Sequence, residues 1–330
     1  MSDTPPTLPG ILPRALAAWL KRLRLSVRRA LEAGAGGQFA SLFRGAGVSF
    51  EELREYQPGD DIRAIEWKAT ARLGVPFVKR FIEERELSVV IAVDKSGSMA
   101  FGGNSRNKWH TAVETAALLV LLAAYNRDRV GLALFDSTLR RFLPPRRGLR
   151  QAWRDIALML LQRPEREPTS LGQVCQMLLR LLRRRALLLL ISDFLDTNYA
   201  ADFQRLALRH EVIAVRIYEP AEAQLPTRGW FLLEDAETAQ RAWFDVRNRM
   251  LRQHWSAVAE RFTRELQDTA RSAGADLWTI PTSEDLLTSL RHWLTQRQLR
   301  LRHHASARPS PSRISPPTPR GSADRQTAGT

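Results

Sequence analysis

The chain has 330 residues, a net charge of +15 and a single cysteine. This length suits one large globular domain or two smaller ones, and one cysteine excludes an internal disulfide. We expect Cys175 to pack as a small hydrophobic residue in a reducing compartment. The longest uncharged apolar run, 116–125, is about half the length of a membrane span. Residues 11–30 contain no clean secretory segment, so we expect a soluble, cytoplasmic protein.

The positive charge is concentrated at the two ends. Residues 1–30 contribute +5 and residues 297–330 contribute +6, so the middle is only mildly basic. Residues 11–33 have helical spacing of apolar residues and could dock on the body or lie on a membrane surface. A nucleic-acid or membrane-surface binder acting through the basic ends is therefore an alternative function. Nucleic acid is the weaker choice, because the sequence contains no basic motif interleaved with aromatic residues.

From residue 87 onward, strands and helices alternate. Buried apolar runs are typical of parallel strands covered on both faces. We predict strands at 88–93, 130–135, 138–143, 186–191, 212–217 and 276–280, helices at 108–125, 149–161, 171–183, 199–208, 246–273 and 284–298, and an edge hairpin within 229–245. The alternation predicts an α/β fold, a doubly wound and mainly parallel sheet with helices on both faces. A small segment with a short extended piece at 75–82 precedes it.

Oxygen-bearing side chains are predicted near the carboxyl ends of two buried strands. They are Asp94, Ser96 and Ser98 after the strand at 88–93, Thr169 before the helix at 171–183, and Asp193 after the strand at 186–191. Ligands of parallel α/β sheets lie beyond the carboxyl ends of strands, so these side chains converge if the two strands are neighbours. Carboxylates and hydroxyls are hard donors that suit Mg²⁺ or Mn²⁺. Each residue alone is equally an ordinary turn or cap residue, and the prediction depends on the joint arrangement.

This set resembles the metal-ion-dependent adhesion site (MIDAS) of von Willebrand factor A domains. A longer stretch, GVSFEELREYQPGDDIRAIEW at 47–67, is similar to the signature of the domain of unknown function 58 (DUF58) family. The similarity continues at Ala71-Arg72, Glu83-Glu84-Arg85, Asp94–Met99, Gly131-Leu132, Phe135, Ser192-Asp193-Phe194 and Leu225-Pro226. It covers about residues 37 to 290 and leaves both basic ends outside.

The resemblance implies a von Willebrand A-like domain preceded by an extra segment. We divide the chain into a basic N-terminal arm or helix (1–36), a family-signature subdomain (37–86), a von Willebrand A-like domain (87–298) and a disordered basic tail (299–330). The resemblance also implies work with a MoxR-type AAA+ ATPase in remodelling or maturing other proteins. We therefore predict a metal-dependent adaptor that binds an acidic residue of a client protein.

Within the signature, a second group of polar and aromatic residues is a candidate interaction surface. Its members are Asp60, Asp61, Arg63, Glu66 and Trp67. The aspartates equally suit a turn that caps a short helix, and both interpretations stay open. Two residues depart from the family pattern. Glu66 replaces the usual Asp and keeps its charge, and Lys95 stands inside the metal loop, where we expect its side chain to point away.

A Mg²⁺-dependent hydrolase is the remaining alternative, because a cation held by carboxylates can activate water. The sequence contains no phosphate-binding G-x-x-x-x-G-K-[ST], no H-E-x-x-H and no G-x-S-x-G, and its histidines lack the spacing of zinc ligands. We therefore expect no catalytic residues and no cofactor other than the cation.

Overall fold

The computed structural model describes residues 14–32, 52–57, 60, 65–80, 88–103, 106–235 and 240–306. The chain divides into a compact unit, residues 1–294, and a second unit, residues 295–330. Of the second unit, the structure describes the end of one helix. The predicted residues Asp61 and Arg63 lie outside the described parts.

The described strands form one large sheet and two small ones. The strands are β1 (Glu52–Glu55), β2 (Phe77–Arg80), β3 (Ser88–Asp94), β4 (Arg129–Phe135), β5 (Leu139–Arg146), β6 (Leu187–Ser192), β7 (Glu211–Tyr218), β8 (Trp230–Glu234), β9 (Arg241–Asp245) and β10 (Asp276–Pro281). Six strands form the main sheet in the order β10-β7-β6-β3-β4-β5, and all its pairs are parallel except β4 with β5. The pairs β1–β2 and β8–β9 are antiparallel.

Helices cover both faces of the main sheet. They are α1 (Arg14–Glu32), α2 (Trp67–Leu73), α3 (Lys108–Tyr125), α4 (Leu149–Leu160), α5 (Leu171–Leu181), α6 (Ala200–Arg209), α7 (Pro220–Ala223), α8 (Arg249–Ser272) and α9 (Leu286–Ser306). Side chains of α1, α3, α4 and the start of α9 fill one core, and those of α5, α6 and α8 fill the other.

The central strand β3 shows why the sheet needs two layers of helices. Val89, Ile91 and Val93 belong to one core, and Val90 and Ala92 belong to the other. Successive side chains of a strand point to opposite faces, so an unbroken apolar run requires cover on both. The predicted α/β class, with a doubly wound, mainly parallel sheet and helices on both faces, is confirmed.

The strand order also creates a crevice for a ligand site. Along the sheet, β3 is followed on one side by β4 and on the other by β6, so the winding reverses between β3 and β6. Connections leave the two strands toward opposite faces at such a switch point, and their carboxyl ends border an open crevice. Asp94 is the last residue of β3, and Asp193 follows β6.

The N-terminal helix α1 packs on the body of the domain. Leu23, Val27 and Ala30 are buried in the same core as α3. The Arg24 guanidinium lies 5.1 Å from the ring centroid of Trp153 on α4. Of the two alternatives for residues 11–33, docking on the body is the one observed for the described helix.

Several element boundaries differ from those predicted. β5 continues through Pro144 and Pro145 instead of ending before them, which is tolerated because β5 is an edge strand. The β8–β9 hairpin forms a separate sheet and does not extend the main one. The last helix reaches Ser306, so residues 299–306, predicted as disordered, are helical. These residues include leucine, arginine and alanine, which favour helix.

His210 generates a pH dependence of stability. It is 1% exposed, its Nδ1 accepts a hydrogen bond from the Ala186 N–H at 3.3 Å, and its Nε2 is buried without a hydrogen-bond partner among the described residues. Burial lowers its pKa from 6.5 to about 4, and the charges of Arg209 and Arg185 add to the effect. The unfolded chain therefore binds the proton first, and stability is lost as pH falls through 6.5 toward 4.

We expect the wild type to lose about 2 kcal/mol from this source between pH 7 and pH 5. His210→Asn keeps a hydrogen-bond acceptor for the Ala186 N–H but has no titrating group at this position. Its free energy of unfolding should therefore fall by about 2 kcal/mol less than that of the wild type over the same pH range. Urea unfolding at the two pH values measures both losses. Equal losses in wild type and variant would contradict the assignment.

Candidate metal centre

The carboxylate of Asp94 lies at the centre of the candidate site. Asp94 ends β3 and is fully buried. Its Oδ2 accepts a hydrogen bond from Ser192 Oγ at 2.6 Å and one from Thr169 Oγ1 at 3.4 Å. Its Oδ1 accepts a hydrogen bond from the Ser96 N–H at 2.9 Å. This one side chain therefore joins the carboxyl ends of β3 and β6.

A short 3₁₀ turn, Gly97–Ala100, positions the two predicted serines. Ser96 precedes the turn and Ser98 lies within it, and both are buried. Their Oγ atoms are 3.2 Å apart. The alternating D-x-S-x-S pattern thus brings two hydroxyls together next to the Asp94 loop.

The loop at 162–170, which carries Thr169, is hydrogen-bonded through its backbone to the loop that follows β3. The Gly97 N–H donates to the Glu167 carbonyl at 3.1 Å, and the Glu165 N–H donates to the Lys95 carbonyl at 3.1 Å. Backbone hydrogen bonds between these loops, and not sequence spacing, therefore bring Thr169 close to Asp94.

Asp193 follows β6 in a strained turn. Phe194 is buried and has a φ of 62°, a left-handed conformation that is costly for a bulky residue. Its N–H donates to Ser192 Oγ at 3.0 Å, and the Leu195 N–H donates to Asp193 Oδ1 at 3.3 Å. The Asp193 side chain is 2% exposed, and its Oδ2 accepts a hydrogen bond from Lys108 Nζ at 2.7 Å.

The two aspartates affect each other electrostatically. The pKa of Asp94 is raised from 3.8 to about 7, first by burial and second by the negative charge of Asp193. Hydrogen bonds from Ser192 and Ser96 oppose this rise. A positive charge placed between such carboxylates favours their ionised forms.

The donor chemistry of the site fits a small divalent cation. Direct contacts bring Asp94, Ser96, Ser98 and Thr169 together, and Asp193 lies close enough to shift the pKa of Asp94. Within the described ranges, no three His, Cys, Asp or Glu side chains could hold a metal by themselves. A cation here would therefore need hydroxyls and waters beside the two carboxylates, as Mg²⁺ and Mn²⁺ accept. The five ligands and the choice of ion stay predictions.

Lys95 turns away from the predicted ligands, as expected. Its Nζ lies 2.5 Å from Glu165 Oε1 and 4.0 Å from Asp136 Oδ2. The same Asp136 carboxylate accepts a hydrogen bond from Arg140 Nε at 2.7 Å. The Lys95 ammonium thus helps to fix the loops around the site.

The second predicted surface is described only in part. Trp67 begins α2 and is 68% exposed, and Glu66 is the residue before that helix. The Asp60 carboxylate accepts a hydrogen bond from the Gln57 N–H at 2.9 Å, as a turn residue does. Its use as an interaction surface stays a prediction.

Three residues of the site were assigned no role from the sequence alone, although Ser192 was named in the family similarity. Ser192 holds Asp94, while Lys108 is fully buried and contacts both Asp193 and Glu222, at 2.7 and 2.6 Å. Lys108 offered one sequence signal, a lone lysine at the start of the very apolar helix α3. Glu222 offered none, because it lies 114 residues further along the chain.

Fold and site together define a doubly wound α/β protein with a candidate cation site at its switch point. The chain belongs to the family described as "Protein of unknown function DUF58", whose model matches residues 52–265. Uncharacterized proteins of Mycobacterium tuberculosis and Mycobacterium bovis are each 32% identical over 287 residues. The match covers 86% of this chain and 90% of each relative. The predicted DUF58 resemblance is confirmed.

Solved structures with a similar fold share little sequence. The conserved hypothetical protein BatB from Bacteroides thetaiotaomicron has a TM-score of 0.44 at 16% identity, over 64% of this chain and 99% of that one. The SpRpn10 VWA domain has a TM-score of 0.36 at 16% identity, over 62% and 93%. Proximal thread matrix protein 1 from mussel byssus, solved with a zinc occupied MIDAS motif, has 0.33 at 13% identity, over 41% and 38%.

Among the described helices, none combines the length and apolar character needed to cross a membrane.

Ser192→Ala tests the hydrogen bond at the centre of the site. The change removes the hydroxyl that donates to Asp94 and accepts from the Phe194 N–H, so Asp94 Oδ2 loses its shorter hydrogen bond and the Phe194 N–H loses its acceptor. We expect a loss of about 1–3 kcal/mol in the free energy of unfolding, measured with urea in EDTA. Ser272→Ala, at the exposed end of α8, is the control and should change stability by less than about 0.5 kcal/mol. A Ser192→Ala protein as stable as the control would contradict the assignment.

Proposed function

We propose that this protein is a metal-dependent protein–protein interaction module that recognises an acidic residue of a partner. The observation that carries the proposal is the convergence of Asp94, Ser96, Ser98 and Thr169 at the switch point, with Asp193 beside them. These residues would hold the cation, which would supply positive charge and an exchangeable water position for a partner carboxylate. Mg²⁺ suits this role because it usually keeps several waters.

Apolar side chains border the candidate site. Phe101 is 46% exposed, and its ring centroid lies 5.9 Å from Lys108 Nζ. Leu195 is 49% exposed and follows the Asp193 turn. A partner carboxylate could therefore be joined by apolar contacts, the combination found at specific interfaces.

The β8–β9 hairpin adds a second apolar surface next to the site loops. Trp230, Leu232 and Trp243 are 58%, 44% and 66% exposed. Glu234 at the end of β8 forms an ion pair of 3.3 Å with Arg166 in the loop that carries Thr169. Exposed apolar groups clustered beside polar ones mark interaction sites more often than isolated ones do. This surface supports a protein partner.

The partner that the family resemblance implies is a MoxR-type AAA+ ATPase, with a client protein that carries the acidic residue. We propose a role in remodelling or maturation, in the cytoplasm, and no enzymatic activity for this chain itself. The apolar stripe of α1 packs against the protein, which favours this role over membrane-surface binding through that helix.

Metal binding is tested by titrating Mn²⁺ into the full chain and following the electron paramagnetic resonance of the free ion. We expect one site in the wild type and at least a hundredfold weaker binding in Asp94→Asn, because this variant lacks the central carboxylate. Asp155→Asn is the matched control, since Asp155 is also a buried aspartate with a raised pKa but lies on α4. Equal binding by wild type and Asp94→Asn would overturn the proposed site.

Partner binding is tested by biolayer interferometry with the purified MoxR-type ATPase from the same organism. The ATPase itself requires Mg²⁺, so the decisive comparison is wild type against Asp94→Asn at constant Mg²⁺, with EDTA as a supporting arm. We expect binding by the wild type and loss of it in the variant. Binding that is equal in wild type and Asp94→Asn but is lost at 0.5 M NaCl would assign the interaction to the basic ends.

The apolar border of the site is tested in the same assay. Leu195→Ser should weaken partner binding roughly three- to tenfold, as expected for the loss of one apolar contact. Leu181→Ser is a matched control, because Leu181 is 45% exposed and ends α5, the helix that begins at the site. Equal losses in the two variants would exclude a specific contact at Leu195.

A further inference from the structure

A buried ammonium next to the candidate site has no role in the ligand set described above. Lys108 is the first residue of α3 and is fully buried. Its Nζ lies 2.7 Å from Asp193 Oδ2 and 2.6 Å from Glu222 Oε1. Asp193, a predicted metal ligand, is therefore already paired with the Lys108 ammonium.

The position of this lysine is unfavourable on general grounds. The N-terminus of a helix carries partial positive charge and favours acidic residues. A buried ammonium is tolerated only when it is paired and hydrogen-bonded. The helix start does not need it, because the Asn107 side chain already accepts a hydrogen bond from the His110 N–H at 2.9 Å. The start of the helix thus does not explain why a lysine is buried at position 108, whereas the two carboxylates that it contacts do.

We propose that Lys108 is a built-in counter-ion that competes with the divalent cation for Asp193, and that Glu222 holds the ammonium when Asp193 is used as a ligand. This inference rests on the proposed function.

Glu222 is placed firmly enough to act as the second acceptor. Its Oε2 accepts a hydrogen bond from the Glu219 N–H at 3.2 Å, within the capping box of α7. Its carbonyl accepts a hydrogen bond from Trp255 Nε1 at 2.7 Å, which fixes α7 against α8. Glu222 thus offers the Lys108 ammonium a fixed carboxylate at 2.6 Å, as Asp193 does at 2.7 Å.

The test is a double-mutant cycle on Mn²⁺ affinity, measured by electron paramagnetic resonance with the full chain. Lys108→Met should bind Mn²⁺ at least tenfold more tightly than the wild type, because Asp193 loses its competitor. Glu222→Gln should bind at least threefold more weakly, because the ammonium is then left to Asp193 alone. In the Lys108→Met background, Glu222→Gln should change the affinity by less than twofold.

This last comparison separates competition from a general charge effect. If Glu222 acted only through its charge at a distance, its replacement would weaken binding equally in both backgrounds. Lys95→Met is the control for loss of a buried ammonium from the same region. Lys95 is paired with Glu165 and not with a predicted ligand, so the affinity should stay within twofold of the wild type.

The outcomes distinguish this inference from the function on which it rests. If Mn²⁺ binding is absent from both wild type and Lys108→Met, or does not require Asp94, the metal site is overturned and the counter-ion with it. If Asp94-dependent binding exists and Lys108→Met binds no more tightly than the wild type, only the counter-ion is overturned. If Lys108→Met does not fold, Lys108→Gln, which can still donate to both carboxylates, is judged by the same criterion.

Discussion

The hydrogen bond from Ser192 Oγ to Asp94 Oδ2 joins the two strands between which the sheet reverses its winding. The reversal opens a crevice at the carboxyl ends of β3 and β6, and a buried carboxylate placed there must be stabilised by its neighbours. Ser192, the Ser96 N–H and Thr169 supply those contacts. The geometry of the site follows from satisfying this one carboxylate.

Charged side chains are concentrated around the crevice. Two buried aspartates lie near each other, and their repulsion adds to the burial that raises the pKa of Asp94. Lys108 compensates part of this charge from the side of Asp193 and Glu222, whereas Lys95 is directed to Glu165 and Asp136. Among the described residues, the hydrogen-bond partners of Asp94 are neutral hydroxyls and a backbone N–H. Carboxylate and hydroxyl oxygens are the donor types that hard divalent ions prefer.

The surroundings of the site suit contact with another protein. Exposed Phe101 and Leu195 border it, and the β8–β9 hairpin presents exposed tryptophans nearby. These groups can contact another protein while the polar centre provides specificity. The left-handed conformation of Phe194 stores backbone strain next to Asp193, and strain of this kind is common at ligand-binding positions.

The sequence by itself determined the layered α/β fold and the positions of most strands and helices, because apolar runs of these lengths can be buried only in a covered parallel sheet. It also offered five candidate ligands, most of them next to the carboxyl ends of predicted strands. It also supported docking of α1 without excluding a membrane surface. Only the tertiary structure decided between these two, since packing of Leu23 and Val27 depends on the shape of the body. Tertiary structure also brought Ser192, Lys108 and Glu222 to the site, through contacts between residues 85 to 114 positions apart. Such contacts depend on strand order and loop packing, which a local sequence pattern does not encode.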